Sequence, residues 1–245
     1  MTTATLALRI DAPLQSWGVR SKFIHRDTAT EPTKSGIVGL LAAARGTDRA
    51  DAAGIAELAA LEMGVRVDRE GLVERDYHVT ENVPNTHGTG HRTVVSERYY
   101  LADALFLVAL HGPRELLTEL ESAILRPQWP LYFGRKAFVP ASPLLEPPHR
   151  RETCGTGLLN EPLEQVLDTH PWLEHRPDQR QQARYSDRPV QLRTIHDVPA
   201  SDPEAELRHD HPISFAHGQR QHTSRTVRHG HVTLTEALIG GHACS

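Results

Sequence analysis

The chain has 245 residues, 38% hydrophobic and 24% charged, with a formal net charge of −4. That length and balance fit a globular protein with a substantial core, and they exclude a protein that coats nucleic acid without selection. No apolar run approaches the roughly 20 residues of a membrane span. Cys154 and Cys244 are too few for a disulfide framework, and the N-terminus has no signal-peptide pattern, so a cytoplasmic location is expected.

The first element is a short apolar strand over residues 4–10, followed by a loop over 11–32 that carries Trp17, Lys22, Phe23 and His25. Loops this long in compact domains usually have a function. A helix is expected over 34–45, with Thr33 or Ser35 as cap and Gly46 as terminator. Gly36 and Gly39 share one face of it, where either a sheet or a polyanion backbone must come close. Lys34 stands at the positive end of that helix, a place suited to phosphate, although the Gly-x-x-x-x-Gly-Lys-Ser/Thr spacing is absent.

An alanine-rich helix follows over about 51–61, then a strand over 63–68 and an extended, alternating segment over 72–83. Pro84 to His91 is turn-rich and apolar-poor, which predicts a projecting hairpin tip, with a return strand through Thr93–Val95 and Arg98–Leu101. Ala104 to Leu110 predicts a buried strand. Pro113 starts a helix to about Leu125 with one stripe of Leu116, Leu117, Leu120 and Ile124. This alternation is the split βαβ, or ferredoxin-like, pattern that RNA-recognition modules also use.

Residues 138–148 hold four prolines and predict an irregular connection. Beyond 150 the chain is strand-poor by pattern. A short helix is expected over 158–168, strands within 181–193 and 213–234, and a mobile loop over 196–212. There is no internal repeat.

Charge is segregated. Residues 16–45 carry five Lys/Arg against two acids, residues 126–151 carry five against Glu146, and residues 213–231 carry three with no acid. A basic groove on an acidic body suits one short RNA segment. The 16 histidines raise the question of a metal, but His87 and His91 are separated by glycines that break a helix, and no acid or thiol stands at ligand spacing. No nucleophile elbow is present. Metal-free RNA cleavage would need a base and an acid, for which His25, His78, Tyr77 and Lys34 are the candidates. Cations interleaved with aromatics are the better lead: Trp17 beside Arg20 and Lys22, Arg98 before Tyr99 and Tyr100, Tyr132-Phe133 before Arg135-Lys136.

The blocks LRIDAPLQSWG, TEPTKSGIVGLLAAARG, RDYHV, RYYLADALFLVAL and PLYFGRKAFVPASPL, in that order up to about residue 145, resemble the CasD family of type I-E CRISPR Cascade complexes, within the RAMP superfamily. The resemblance implies an α+β fold: a ferredoxin-like (RRM-like) palm over 1–145, a β-hairpin thumb over about 78–100, and a smaller, mostly-β C-terminal region over 146–245. It implies a non-catalytic subunit that grips the 5′ handle of CRISPR RNA and caps the backbone filament. Its partners would be the backbone and large subunits, with target DNA met only through the assembled complex. No cofactor, metal or membrane is expected.

The RNA-binding set expected on these grounds is Gln15, Trp17, Arg20, Lys22, Lys34, Ser35, His78, Arg92, Arg98, Tyr99, Arg135 and Lys136, with no catalytic residue. The alternative is a metal-independent endoribonuclease that processes the guide precursor, with His25 or His78 as base and Lys34 as acid or oxyanion partner. A protein-only scaffold is the third reading.

Overall fold

The computed structural model describes residues 2–18, 24–85, 88, 90–146 and 155–240. At its centre strand β1 (Thr3–Asp11) runs antiparallel to β7 (Leu105–Pro113), from Thr3↔Pro113 to Asp11↔Leu105. Both strands are buried along most of their length because side chains alternate between two covered faces. On one face Leu6, Leu8, Ile10, Phe106 and Val108 pack with helices α1 (Lys34–Arg45), α2 (Ala52–Ala59) and α3 (Arg114–Leu125). On the other, Ala7, Leu105, Leu107 and Ala109 meet Leu173 and helix α4 (Leu163–Thr169).

Strand β4 (Glu62–Arg69) lies on the far side of β7, and β8 (Gly157–Leu159) borders β1. Beyond β4 come β9 (Gln191–Asp197), β11 (Gln221–Thr233) and β10 (Glu206–Ser214). The full order is β10-β11-β9-β4-β7-β1-β8, with every neighbouring pair antiparallel. Residues 191–233 therefore extend the sheet that holds β1. A second sheet consists of the hairpin β5 (Leu72–Pro84) and β6 (His91–Ala102), together with β2 (Leu14–Gln15) and the short β3 (His25–Arg26), which runs parallel to β6. Strand β5 is exposed at nearly every position. Helices α5 (Pro177–Arg184) and α6 (Glu236–Gly240) complete a mixed α+β fold. Among the described residues, no helix is long and apolar enough to cross a membrane.

Local signals explain the well-anticipated elements. Thr33 caps α1 by accepting a hydrogen bond from the Gly36 N–H at 3.2 Å, and Gly46 ends it in the left-handed region at φ +82°. Three segments differ from expectation. Residues 206–214 form an edge strand rather than a loop, held by β11 on one side and interrupted by register shifts around Arg208/His211 and Pro212/Ser214. Residues 177–184 form a helix with no buried side chain, which apolar periodicity could not reveal. The short helix starts at Leu163 rather than 158, because residues 157–159 pair with β1 and Pro162 begins the turn.

A buried charge network ties α1 to the C-terminal strands. Lys34 Nζ lies 2.6 Å from Asp197 Oδ2, and Arg225 bridges Asp197 and Asp210. The backbone N–H of Lys34 donates to Asp210 at 2.9 Å. Glu31 takes Arg208 at 2.5 Å and Arg193 at 3.2 Å, and Arg193 continues to Glu70 at 2.8 Å. Burial alone would raise the Asp210 carboxyl, but Arg225, the Lys34 N–H and Arg208 together hold it below the ordinary 3.8. Burial likewise works to raise Glu31, and Thr30, Arg208 and Arg193 hold it low. Such a group stabilises the fold fully above its unfolded pKa and loses that contribution as pH falls through its folded pKa. Asp210→Asn is therefore expected to destabilise the chain by about 3–5 kcal/mol at pH 7, as for a broken buried pair. The gap between wild type and variant should close as pH falls below 3.8. Denaturant unfolding at pH 7, 4 and 3 checks this, and a constant gap would contradict it.

Candidate nucleic-acid interface

The base of the β5–β6 hairpin gathers cations from three separate segments. In β3, Arg26 stands opposite Arg98 of β6 and His25 opposite Glu97. From the other edge, Asp76 of β5 stands opposite Arg98. The turn over residues 134–138 adds Arg135, whose Nη2 donates to the Tyr99 carbonyl at 2.7 Å. The Arg135 guanidinium lies 5.2 Å from the Phe138 ring centroid, and the Tyr100 ring lies 5.9 Å from the same ring. Arg98 Nε donates to Ser96 Oγ at 3.0 Å.

These cations crowd one another. Burial, then the charges of Arg98 and Arg26, push the Arg135 pKa down, opposed mainly by Asp76. Among the described residues, Arg26, Arg98, Arg135 and Lys136 form no ion pair with a carboxylate, whereas their neighbours Arg75 and His25 share Glu97 at 3.0 and 3.3 Å. Guanidinium groups without carboxylate partners, beside half-buried tyrosines, present both phosphate donors and stacking planes. That chemistry suits a single strand whose phosphates and bases are both accessible.

Backbone geometry fixes the turn. Gly134 has φ +89°, and a Cβ there would stand 1.9 Å from the Ser16 carbonyl oxygen. The Ser16 N–H donates to the Phe133 carbonyl at 3.1 Å. Only glycine permits this approach, so the turn that aims Arg135 and Lys136 is pressed onto the loop after β1.

Of the expected contact residues, the structure brings together Arg98, Tyr99 and Arg135, with Lys136 exposed one residue further on. His78 is half-buried on β5, with Nδ1 3.7 Å from Asp76, and Arg92 is exposed where β6 begins at the distal end. Arg20 and Lys22 lie outside the described residues, as does His87 of the hairpin tip.

Four of the expected contact residues are engaged within the fold. Gln15 is fully buried, donating to the Ala104 carbonyl at 2.7 Å and accepting from the Trp17 indole at 3.2 Å. Trp17 is 2% exposed, 5.8 Å from Phe133 and pressed on Gly36, where a Cβ would stand 2.8 Å from its ring. The close approach that Gly36 allows is thus to an indole, and Gln15 and Trp17 both pack into the core. Lys34 is 5% exposed and committed to Asp197, while Asp210 occupies the helix N-terminus where phosphate was expected. Ser35 is half-buried, its hydroxyl 3.4 Å from that of Thr33 on the same turn.

Sequence reasoning missed the roles of Arg26, Asp76 and Phe138. Arg26 was visible only as one basic residue in a loop, and nothing local announces that it lies across from Arg98. Among the described residues, no group of three or more His, Cys, Asp or Glu is placed to hold a metal ion.

Comparison with known proteins agrees with this architecture. The family described as CRISPR-associated protein (Cas_Cas5) matches residues 5–228. The "CRISPR system Cascade subunit CasD" of Escherichia coli (strain K12) is 32% identical over 181 residues, covering 68% of this chain and 77% of that protein. A solved structure titled "Crystal structure of Cas protein" superposes with a TM-score of 0.68 at 38% identity, covering 94% of this chain and 95% of that one. A chain of a "CRISPR RNA-guided surveillance complex" superposes with a TM-score of 0.74 at 29% identity, covering 96% and 92%. With nearly its whole length matched in sequence and in fold, this chain belongs to the CRISPR-associated Cas5 family.

Proposed function

We propose that this chain is a non-catalytic guide-RNA-binding subunit of a Cascade-type surveillance complex, which holds the 5′ handle of CRISPR RNA at the base of the β5–β6 hairpin. The observation that carries this reading is the cluster of Arg26, Arg98 and Arg135, crowded together without carboxylate ion pairs. A cluster of that kind repels itself until an anion enters. Relatives described as a Cascade subunit and as part of an RNA-guided surveillance complex supply the biological setting.

The architecture supports the finer assignments. The order β4-β7-β1-β8, with α1 and α3 on one face, fits a ferredoxin-like palm over residues 1–145 whose fourth strand is lent by β8. The β5–β6 hairpin, longer than the 78–100 span expected, serves as the thumb, and residues 146–245 widen the palm's sheet. In this reading the chain acts in the cytoplasm, caps the backbone filament, adjoins the large subunit, and meets target DNA only through the assembly in antiviral defence.

Arg98→Ala is expected to weaken binding of a repeat-derived 5′-handle RNA by about 1–3 kcal/mol if the guanidinium stacks on a base. Each of Arg98→Ala and Arg135→Ala should flatten the slope of log affinity against log salt by about 0.7 where the residue meets a phosphate. Lys34→Met should lower stability and leave that slope unchanged. Folded arginine variants with unaltered affinity and slope would place the interface elsewhere.

The endoribonuclease reading places Lys34 as acid or oxyanion partner beside His25 or His78. The Lys34 ammonium is buried 2.6 Å from Asp197, which supports the non-catalytic reading over it. Repeat RNA incubated with the chain in the absence of metal should stay intact. A discrete product that disappears with His25→Ala or His78→Ala would reverse the assignment.

A further inference from the structure

The hairpin leaves the main sheet through a narrow neck between the end of β4 and the start of β7. On one side stands Gly71, where a Cβ would meet Ala104 Cβ at 2.8 Å and the Ala102 carbonyl at 3.1 Å. On the other stands Asp103, a non-glycine residue at φ +59°. Aspartate tolerates that left-handed backbone better than most residues, but the conformation alone would favour glycine.

Asp103 is engaged at every polar group. Its N–H donates to the Pro13 carbonyl at 2.9 Å, and its carbonyl accepts from Arg69 Nε at 2.7 Å. Oδ1 lies 3.1 Å from Arg69 Nη2, and Oδ2 accepts from Arg176 Nη1 at 2.9 Å. Its two arginines are rooted in buried acids. Arg69 binds both oxygens of Glu174 at 2.8 and 2.7 Å and stands 3.6 Å from Asp11, and Arg176 Nε lies 3.5 Å from Glu174. Burial works to raise Glu174, and the Arg176 N–H and the Arg69 guanidinium hold it low, so it stays ionised.

An exposed aspartate, 59% accessible, adds little to global stability through ion pairs that water screens. Orientation is a different matter. Arg98 sits four residues beyond Ala102, about 13 Å along the strand at roughly 3.3 Å per residue. A tilt of about 10° at the neck would shift Arg98 by about 2 Å, enough to break a charge-assisted hydrogen bond to phosphate.

We infer that Asp103 is a positioning residue: through Arg69 and Arg176 it clamps the neck and sets the angle at which the hairpin presents Arg98, with Arg26 paired beside it, to Arg135. The inference rests on the RNA reading of the hairpin base. Asp103→Gly removes the clamp and relieves the backbone, whereas Asp103→Asn keeps the left-handed turn and removes the charge, so together they separate clamp from turn.

The test uses the full chain with Cys154→Ser and Cys244→Ser and spin labels at Thr80→Cys on the hairpin and Glu119→Cys on α3. Both Asp103 variants should broaden the interlabel distance distribution. Affinity for a repeat-derived 5′-handle RNA should fall about tenfold, as for one lost charge-assisted contact. The salt slope should flatten by about 0.7, as for one lost phosphate contact, and the thermal midpoint should stay at its wild-type value. An unchanged distance distribution in both variants overturns the inference, as does a broadened one with wild-type affinity. A parent chain that binds no RNA overturns the RNA reading, while the distance measurement still decides the clamp.

Discussion

Asp210 at the N-terminus of α1 governs both how the chain is held together and where an anion can bind it. The free N–H groups and the dipole of a helix start attract one anion, and here the protein supplies it from β10. Arg225 then joins Asp210 to Asp197, and Asp197 takes the Lys34 ammonium, so a strand from the last third of the chain is welded to its first helix. Four cations, Lys34, Arg193, Arg208 and Arg225, face four carboxylates, Glu31, Glu70, Asp197 and Asp210. A network so balanced carries no net charge to attract a polyanion. Among the described residues the basic stretches thus divide by partner: Lys34 and Arg225 are committed to carboxylates, whereas Arg26 and Arg135 crowd Arg98 at the hairpin base with no carboxylate ion pair.

There the logic is reversed. Arg26, Arg98 and Arg135 approach one another with Asp76 as the main charge in opposition, and Arg135 is half-buried as well. Gathering like charges opposes folding, and it is tolerated where tightly packed elements hold the groups in place. The Tyr99 carbonyl and the Phe138 ring hold the Arg135 guanidinium, Ser96 holds that of Arg98, and pairing with β6 holds Arg26. In the proposed reading an incoming phosphate would meet donors already oriented, which lowers the ordering entropy of binding.

Much of the fold was legible because its signals are local. Thr33 and Gly46 bracket α1, the run Ala104–Leu110 names a two-sided buried strand, and Pro84–His91 marks a hairpin tip. The illegible parts depend on partners distant in sequence. Strand β10 is polar, carries Pro212 and pairs on one side only, so its period is weak. The two-residue strands β2 and β3 exist because β6 offers an edge to them. The candidate site divides in the same way. Arg98, Tyr99 and Arg135 were legible as cations beside aromatics, but that pattern cannot tell a ring that stacks on a base from one that packs on a glycine. Trp17 is the second kind, and Lys34 shows the same ambiguity for a cation.

The buried residues nonetheless bear on binding at one remove. Trp17 packs against Phe133, and Ser16 hydrogen-bonds the Phe133 backbone and closes over Gly134, so the loop after β1 is the surface on which the Arg135 turn is formed. Gln15 reaches from the same loop to the Ala104 carbonyl at the foot of β7, and pairs with Leu101 near the root of β6. The loop therefore touches both halves of the interface, the turn that carries Arg135 and the strand that carries Arg98. Because each of these contacts is buried and close-packed, a shift in the loop would move both arginines together rather than one against the other. The segment most specific in sequence contributes by fixing the relative geometry of the cations, and the cations themselves come from segments that sequence alone marks only weakly.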